Sequence, residues 1–295
     1  MKTSILVAIV LIGSYGVLLG YGQMEPATPI QTYWKKNRNT VATYLHANKA
    51  SVVFTGSSLT APLNFNEDAP CVYNFGLIGE SALTGLDVIV MSAHNPHTVF
   101  VEINFPGRDS NKYLISDASG FLARNFPEFI YTSPVNLVGA RLSNFYYFLR
   151  DGRRQETKVT APLEAEVVRK SEIALQREIL NTPLSSILLA TQISTFGAQV
   201  KNLEQKGVKV IFYEMPLNPE LQNSNQAIQV RDAFRSAFPN NKFIGFAEMT
   251  KGATVKPADG LHLNVEDAKQ VIVNLKGYYE SVCEIDKAVQ ALPGL

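Results

Sequence analysis

Ser58, just after the short β-branched run Ser51–Thr55, and the Asp259-Gly-Leu-His262 segment near the other end of the chain bear side chains that can perform nucleophilic catalysis. A serine hydroxyl attacks a carbonyl only when a base removes its proton. His262 can take that proton on one ring nitrogen while Asp259 holds the other and fixes the tautomer. The two lie three residues apart, so a single tight turn can present both. Attack on an ester generates an oxyanion, and three groups are candidates to stabilise it. They are the backbone N–H of Ser58, expected at the start of a helix, the N–H of Gly79, where no side chain blocks approach, and the side-chain amide of Asn104. Taken singly, each signal is weak. Gly-Ser-Ser is a common tripeptide, and Ser58 alone reads first as a helix cap. Their placement at successive strand ends favours a site.

The elements that must position these residues are legible as alternating strands and helices. Ser51–Thr55, Val72–Phe75, Thr98–Asn104, Gly207–Tyr213 and Lys242–Phe246 are β-branched or aromatic runs that stop at Gly, Pro or polar residues. Gln31–Asn48, Ser81–Ser92, Glu164–Leu180, Ser185–Glu204 and Asn264–Glu280 have helical apolar spacing. Alternation of this kind predicts an α/β fold, a three-layer parallel sheet with helices on both faces. Ligands bind at the carboxyl edge of such sheets, where Ser58, Gly79 and Asn104 are expected. The long stretch 109–206 reads as a helical insertion. Aromatic residues are dense over Phe121–Leu149; they read as core packing, or alternatively as a cap over the carboxyl edge.

With these blocks in order, the chain resembles the SGNH, or GDSL-type, hydrolase superfamily. Val53-Phe-Thr-Gly-Ser-Ser-Leu59 resembles the first block, with Ser57 where Asp is more usual and Ser58 at the nucleophile. Asn74-Phe-Gly-Leu-Ile-Gly79 resembles the second, and Asp259-Gly-Leu-His262 the closing DxxH block. The third block departs from the pattern: Val101-Glu-Ile-Asn-Phe-Pro-Gly107 lacks the preceding Gly, and Asn104 is the nearest counterpart of the oxyanion Asn. The resemblance covers about 54–110 and 205–280. It implies a flavodoxin-like SGNH fold, a Ser58–His262–Asp259 triad, an oxyanion hole of Ser58, Gly79 and Asn104, and no metal or organic cofactor. It is nearest to envelope-associated branches acting on acyl groups of carbohydrates or cell-wall polymers. The expected activity is an exported serine esterase or O-acyltransferase; the alternative is an inactive envelope protein that binds a glycan or an assembly partner.

Composition bounds the remaining readings. The chain has 295 residues and a formal net charge of +1, so no basic stripe argues for nucleic acid. Lys2 precedes an uncharged apolar run, Ile5–Tyr21. Its 17 residues, counted from the sequence, read either as a transmembrane signal anchor or as a cleaved signal peptide. The run exceeds a usual signal core, which favours the anchor. Both place the main domain outside the cytoplasm, and an anchor makes the membrane a partner. The expected organisation is 1–23 as anchor or signal, 24–50 as linker and helix, and 51–295 as the hydrolase domain. Cys71 and Cys283 can pair in an oxidising compartment, but the preferred expectation is two separate buried thiols. His94-Asn-Pro-His97 reads as a loop, because a metal site needs three or four ligands. Glu214 reads as a cleft or a solvated edge residue, and Lys35-Lys-Asn-Arg38 as a solvated helix face.

Overall fold

Strand residues of opposite parity enter different cores. Val53, Val99, Val101, Val210 and Phe212 join one apolar cluster, while Val52, Phe54, Phe100, Ile211 and Tyr213 join the other. That period of two, with both parities buried, is the signature of a sheet covered on both faces. The structure is a computed structural model that describes residues 29–47, 49–65, 69–120, 162–252 and 259–290, with residues 13, 255 and 257.

The strands are β1 (Val52–Gly56), β2 (Val72–Gly76), β3 (Thr98–Glu102), β4 (Lys209–Tyr213) and β5 (Lys242–Ile244). They form one five-stranded sheet in the order β2-β1-β3-β4-β5, with every neighbouring pair parallel. The chain leaves β1 toward the β2 edge and then returns past β1 to β3. The carboxyl ends of β1 and β3 therefore flank the switch point where such sheets open a crevice.

The helices are α1 (Pro29–His46), α2 (Ala82–Met91), α3 (Lys112–Ser119), α4 (Pro162–Asn181), α5 (Ser186–Gln205), α6 (Asn225–Ala237), α7 (Phe246–Thr250) and α8 (Val265–Gln290). Residues of α1, α2, α3, α5 and α6 share the first core. Met249 of α7 and Ala268, Val271, Leu275 and Tyr279 of α8 share the second. Phe54 lies at the centre of that face, stacked on Phe100 at 4.2 Å and on Phe65 at 4.8 Å between ring centroids. The α/β parallel architecture expected from the sequence is what forms.

Four local expectations are corrected. No helix follows β1: residues 58–62 form hydrogen-bonded turns, with Thr60 and Ala61 N–H donating to the Ser57 carbonyl. Ser58 therefore has no helix N-terminus behind it. β3 ends at Glu102, two residues before the expected Asn104. Asn37 and Arg38 are buried rather than solvated, because α1 packs that turn against α3 and the loop after β2. Finally, Cys71 and Cys283 are joined in a disulfide, with Cα atoms 5.6 Å apart. α8 runs to Gln290, beyond the expected end at Glu280, and so carries Cys283 to the chain just before β2.

No helix among the described residues is long and apolar enough to cross a membrane. The Ile5–Tyr21 run, apart from Gly13, and the aromatic Phe121–Leu149 stretch lie outside the described residues.

Candidate active site

The turn after β1 and the loop before α8 meet above the carboxyl edge. His262 Nε2 lies 2.8 Å from Ser58 Oγ, across 204 residues of sequence. His262 Nδ1 lies 2.5 Å from Asp259 Oδ2. A carboxylate only accepts, so Nδ1 carries the ring proton and Nε2 presents a lone pair to the Ser58 hydroxyl. That is the tautomer a general base requires.

Asp259 has a second task. Its Oδ1 accepts the backbone N–H of Leu261 at 3.0 Å and of His262 at 2.8 Å, closing the loop that displays the histidine. Burial pulls the Asp259 carboxyl upward, but its hydrogen bonds from the His262 ring and from the His262 and Leu261 backbone, with the His262 charge, outweigh that. The net position is below the ordinary carboxylate value of 3.8. The loop is held from outside by the Asn218 N–H on the Gly260 carbonyl at 2.9 Å. Ile173 of α4 packs beside Gly260, so the segment between β3 and β4 reaches the loop that carries His262.

Beneath Ser58 lies a residue that sequence reading passed over. The Glu102 carboxylate, at the end of β3, is buried and accepts three hydrogen bonds from the nucleophile turn. Ser57 N–H donates at 2.9 Å, Ser57 Oγ at 2.7 Å and Thr60 Oγ1 at 2.5 Å. Tyr213 Oη of β4 stands 2.5 Å from Thr60 Oγ1. Burial pushes the Glu102 carboxyl above its ordinary range, against the pull of the Thr60 and Ser57 hydrogen bonds. The signal available in sequence was an acid closing the otherwise apolar or β-branched run Thr98-Val-Phe-Val-Glu102. A solvated strand edge would have given the same pattern.

The loop after β2 holds Gly79 in the left-handed region, φ +79°, which favours glycine. The loop is anchored to β1 by the Leu77 N–H on the Gly56 carbonyl, 2.9 Å. Asn37 of α1 clamps it from the other side, its amide donating to the Ile78 carbonyl and accepting the Ile78 N–H, both at 2.8 Å. Arg108 Nη1 donates to the Gly79 carbonyl at 2.7 Å. Among the described residues neither the Ser58 nor the Gly79 N–H is used in a hydrogen bond, so both donors are available to a ligand. Sequence reading missed Asn37 as well, since its polar neighbours Lys35, Lys36 and Arg38 made this turn of α1 look solvated.

Asn104 is placed at the same edge but turns toward β4. Its Nδ2 donates to the Met215 carbonyl at 2.9 Å, and its Oδ1 accepts the Met215 N–H at 2.7 Å. A small cleft starts beside Asn104 and Phe105 and runs along Glu214, Met215 and Arg231 toward Phe246. Glu214 is buried there in an ion pair with Arg231, Nε to Oε1 2.7 Å. The triad is not among its walls. Among the described residues no group of three or more His, Cys, Asp and Glu side chains could hold a metal, and His94 Nε2 contacts the Ala50 carbonyl at 3.0 Å.

No protein-family model matches the chain. No curated protein matches it either. The functional case therefore stands on the residues and their geometry.

Proposed function

We propose that the protein is a serine esterase or O-acyltransferase of the SGNH type, in which Ser58, His262 and Asp259 act as the triad. The observation that carries this reading is the continuous chain Ser58 Oγ–His262 Nε2, 2.8 Å, and His262 Nδ1–Asp259 Oδ2, 2.5 Å. Its support from topology is the sheet order 2-1-3-4-5, with the nucleophile at the switch point.

Ser58 Oγ attacks the ester carbonyl carbon as its proton passes to His262 Nε2. Asp259 stabilises the imidazolium through Nδ1–H and stays ionised. The Ser58 and Gly79 N–H groups donate to the oxyanion, and Asn104 supplies a third donor through the N–H it does not give to Met215. Collapse breaks the ester C–O bond, and His262 returns the proton to the departing alkoxide. The acyl group is then on Ser58. Water completes hydrolysis, or a sugar hydroxyl completes transfer, each activated by His262. The substrate class is an acyl ester, and the resemblance to envelope branches makes an acylated carbohydrate the first choice. The main domain works outside the cytoplasm, held at the membrane if Ile5–Tyr21 remains attached.

A non-catalytic envelope protein with the same fold is the second reading, favoured by the pairing of Asn104 with Met215. Turnover of p-nitrophenyl acetate separates the two. The esterase reading expects release of p-nitrophenol that Ser58→Ala abolishes. Equal rates for the two proteins would exclude it. Adding acceptor glycans and scoring ester formation against release of free acid then divides transfer from hydrolysis.

A further inference from the structure

We propose that Glu102 is the positioning residue of the nucleophile turn, the group that fixes where the Ser58 hydroxyl and N–H point. The kinetic part of the test rests on the esterase reading; the geometric part does not.

The residues on both sides of Ser58 are tied to this one carboxyl. Ser57 gives it both its N–H and its hydroxyl, and Thr60 gives it its hydroxyl. Leu59 N–H in turn donates to Ser57 Oγ at 3.1 Å. Tyr213 Oη shares a hydrogen bond with Thr60 Oγ1 and reaches the Thr55 carbonyl at 3.4 Å. Turn residues 57, 59 and 60 thus connect through one acid to β3, and through Tyr213 to β4. Ser58, between them, is the member of the turn whose side chain is left to face His262.

Two features argue against a role in fold stability alone. The other strand residues of β3 are apolar or β-branched and buried, and an apolar residue at 102 would satisfy the core without desolvating a carboxyl. Glu102 also has no cation in contact among the described residues, so its burial is offset by these hydrogen bonds alone. Second, the fit excludes a side chain at position 56. A Cβ on Gly56 would collide with Thr60 Oγ1 and Glu102 Oε2. The backbone at the end of β1 has been brought against this carboxyl, which is the geometry of a template under the turn. Glu102 touches neither Ser58 nor His262 and so acts through Ser57 and Thr60. A fully satisfied buried network of this kind holds one arrangement.

The test uses the full chain, with p-nitrophenyl acetate as the substrate and the crystallographic Ser58 Oγ–His262 Nε2 separation as a second readout. Glu102→Leu removes all three acceptor interactions. Expected is a fall in kcat of about 100-fold with KM within about twofold, since a misplacement near 1 Å has that effect. The separation is expected to open past about 3.5 Å. Glu102→Gln keeps an acceptor for Ser57 N–H and a donor for one hydroxyl, and should recover kcat to within about tenfold of wild type. Thr60→Val should lose about tenfold alone and nothing further in the Glu102→Leu background, because both act through one network.

A folded Glu102→Leu protein with wild-type kcat, or with the 2.8 Å contact retained, would overturn the proposal. If that variant does not fold, Thr60→Val decides: a loss in kcat at constant KM supports it, and unchanged kcat overturns it. If wild type hydrolyses no faster than Ser58→Ala, the esterase reading falls. The separation in Glu102→Leu, or in Thr60→Val if that protein alone folds, then decides the positioning role by itself.

Discussion

Asp259 divides its two oxygens between structure and chemistry, and the division makes a test possible. Oδ2 orients the His262 ring while Oδ1 closes the loop through two backbone N–H groups. Asp259→Asn preserves shape but lets an amide face Nδ1, which favours the wrong tautomer. We expect kcat on p-nitrophenyl acetate to fall about 10³- to 10⁴-fold, with a smaller change in KM. The pH dependence has a definite sign. The folded carboxyl lies below its ordinary value of 3.8, so its stabilising effect is complete above that value and is lost as pH falls below it through the lowered folded one. The advantage of wild type over Asp259→Asn in urea midpoint should therefore be constant above about pH 5 and shrink below 3.8. An advantage that grows on acidification would contradict the assignment. That Ser58, Asp259 and His262 would lie together could be expected from sequence, because Asp259-Gly-Leu-His262 fits one tight turn and Ser58 follows a strand end. The role of Glu102 could not, because it depends on the packing of β1 against β3, which no local pattern encodes.

At the scale of elements, α1 and α8 do more than cover the sheet. α1 inserts Asn37 into the loop that carries Gly79 and ties itself to α3 through the ion pair of buried Arg38 with half-buried Asp117, 2.7 Å. Removing the amide takes two hydrogen bonds from the half-buried Ile78 backbone, at roughly 0.5–1.5 kcal/mol each. Asn37→Ala should lower the melting temperature and reduce kcat about tenfold, with KM nearly unchanged, because the loss falls on the placement of the oxyanion donor. Unchanged kcat in the folded variant would detach Gly79 from the oxyanion hole. Strands and helices were readable here because β-branched runs and 3.6-residue spacing reflect burial directly. The boundaries that failed are those set by tertiary packing. The turn after β1 is drawn into hydrogen bonds with β3 instead of starting a helix, and α8 continues past Glu280 along the second face of the sheet.

Across the whole molecule, the Cys71–Cys283 bond joins the approach to β2 with the last helix, a sequence separation of 212 residues. Closing so long a loop restricts the unfolded chain, and replacing both cysteines by alanine should cost about 2–5 kcal/mol in urea or guanidinium unfolding. The triad should survive that change, since neither cysteine touches it. A disulfide also suits the exported setting we propose. Separate thiols were expected because cysteine is commonly buried as a free thiol, and the contact exists only once α8 has packed.

Covalent capture tests most directly whether Ser58 is a nucleophile activated by His262. A fluorophosphonate should add once per chain to folded protein, with peptide mass mapping the adduct to Ser58. Ser58→Ala should abolish labelling, and His262→Ala should slow it by orders of magnitude. Failure of folded wild type to label, or an adduct that persists in Ser58→Ala, would contradict that role.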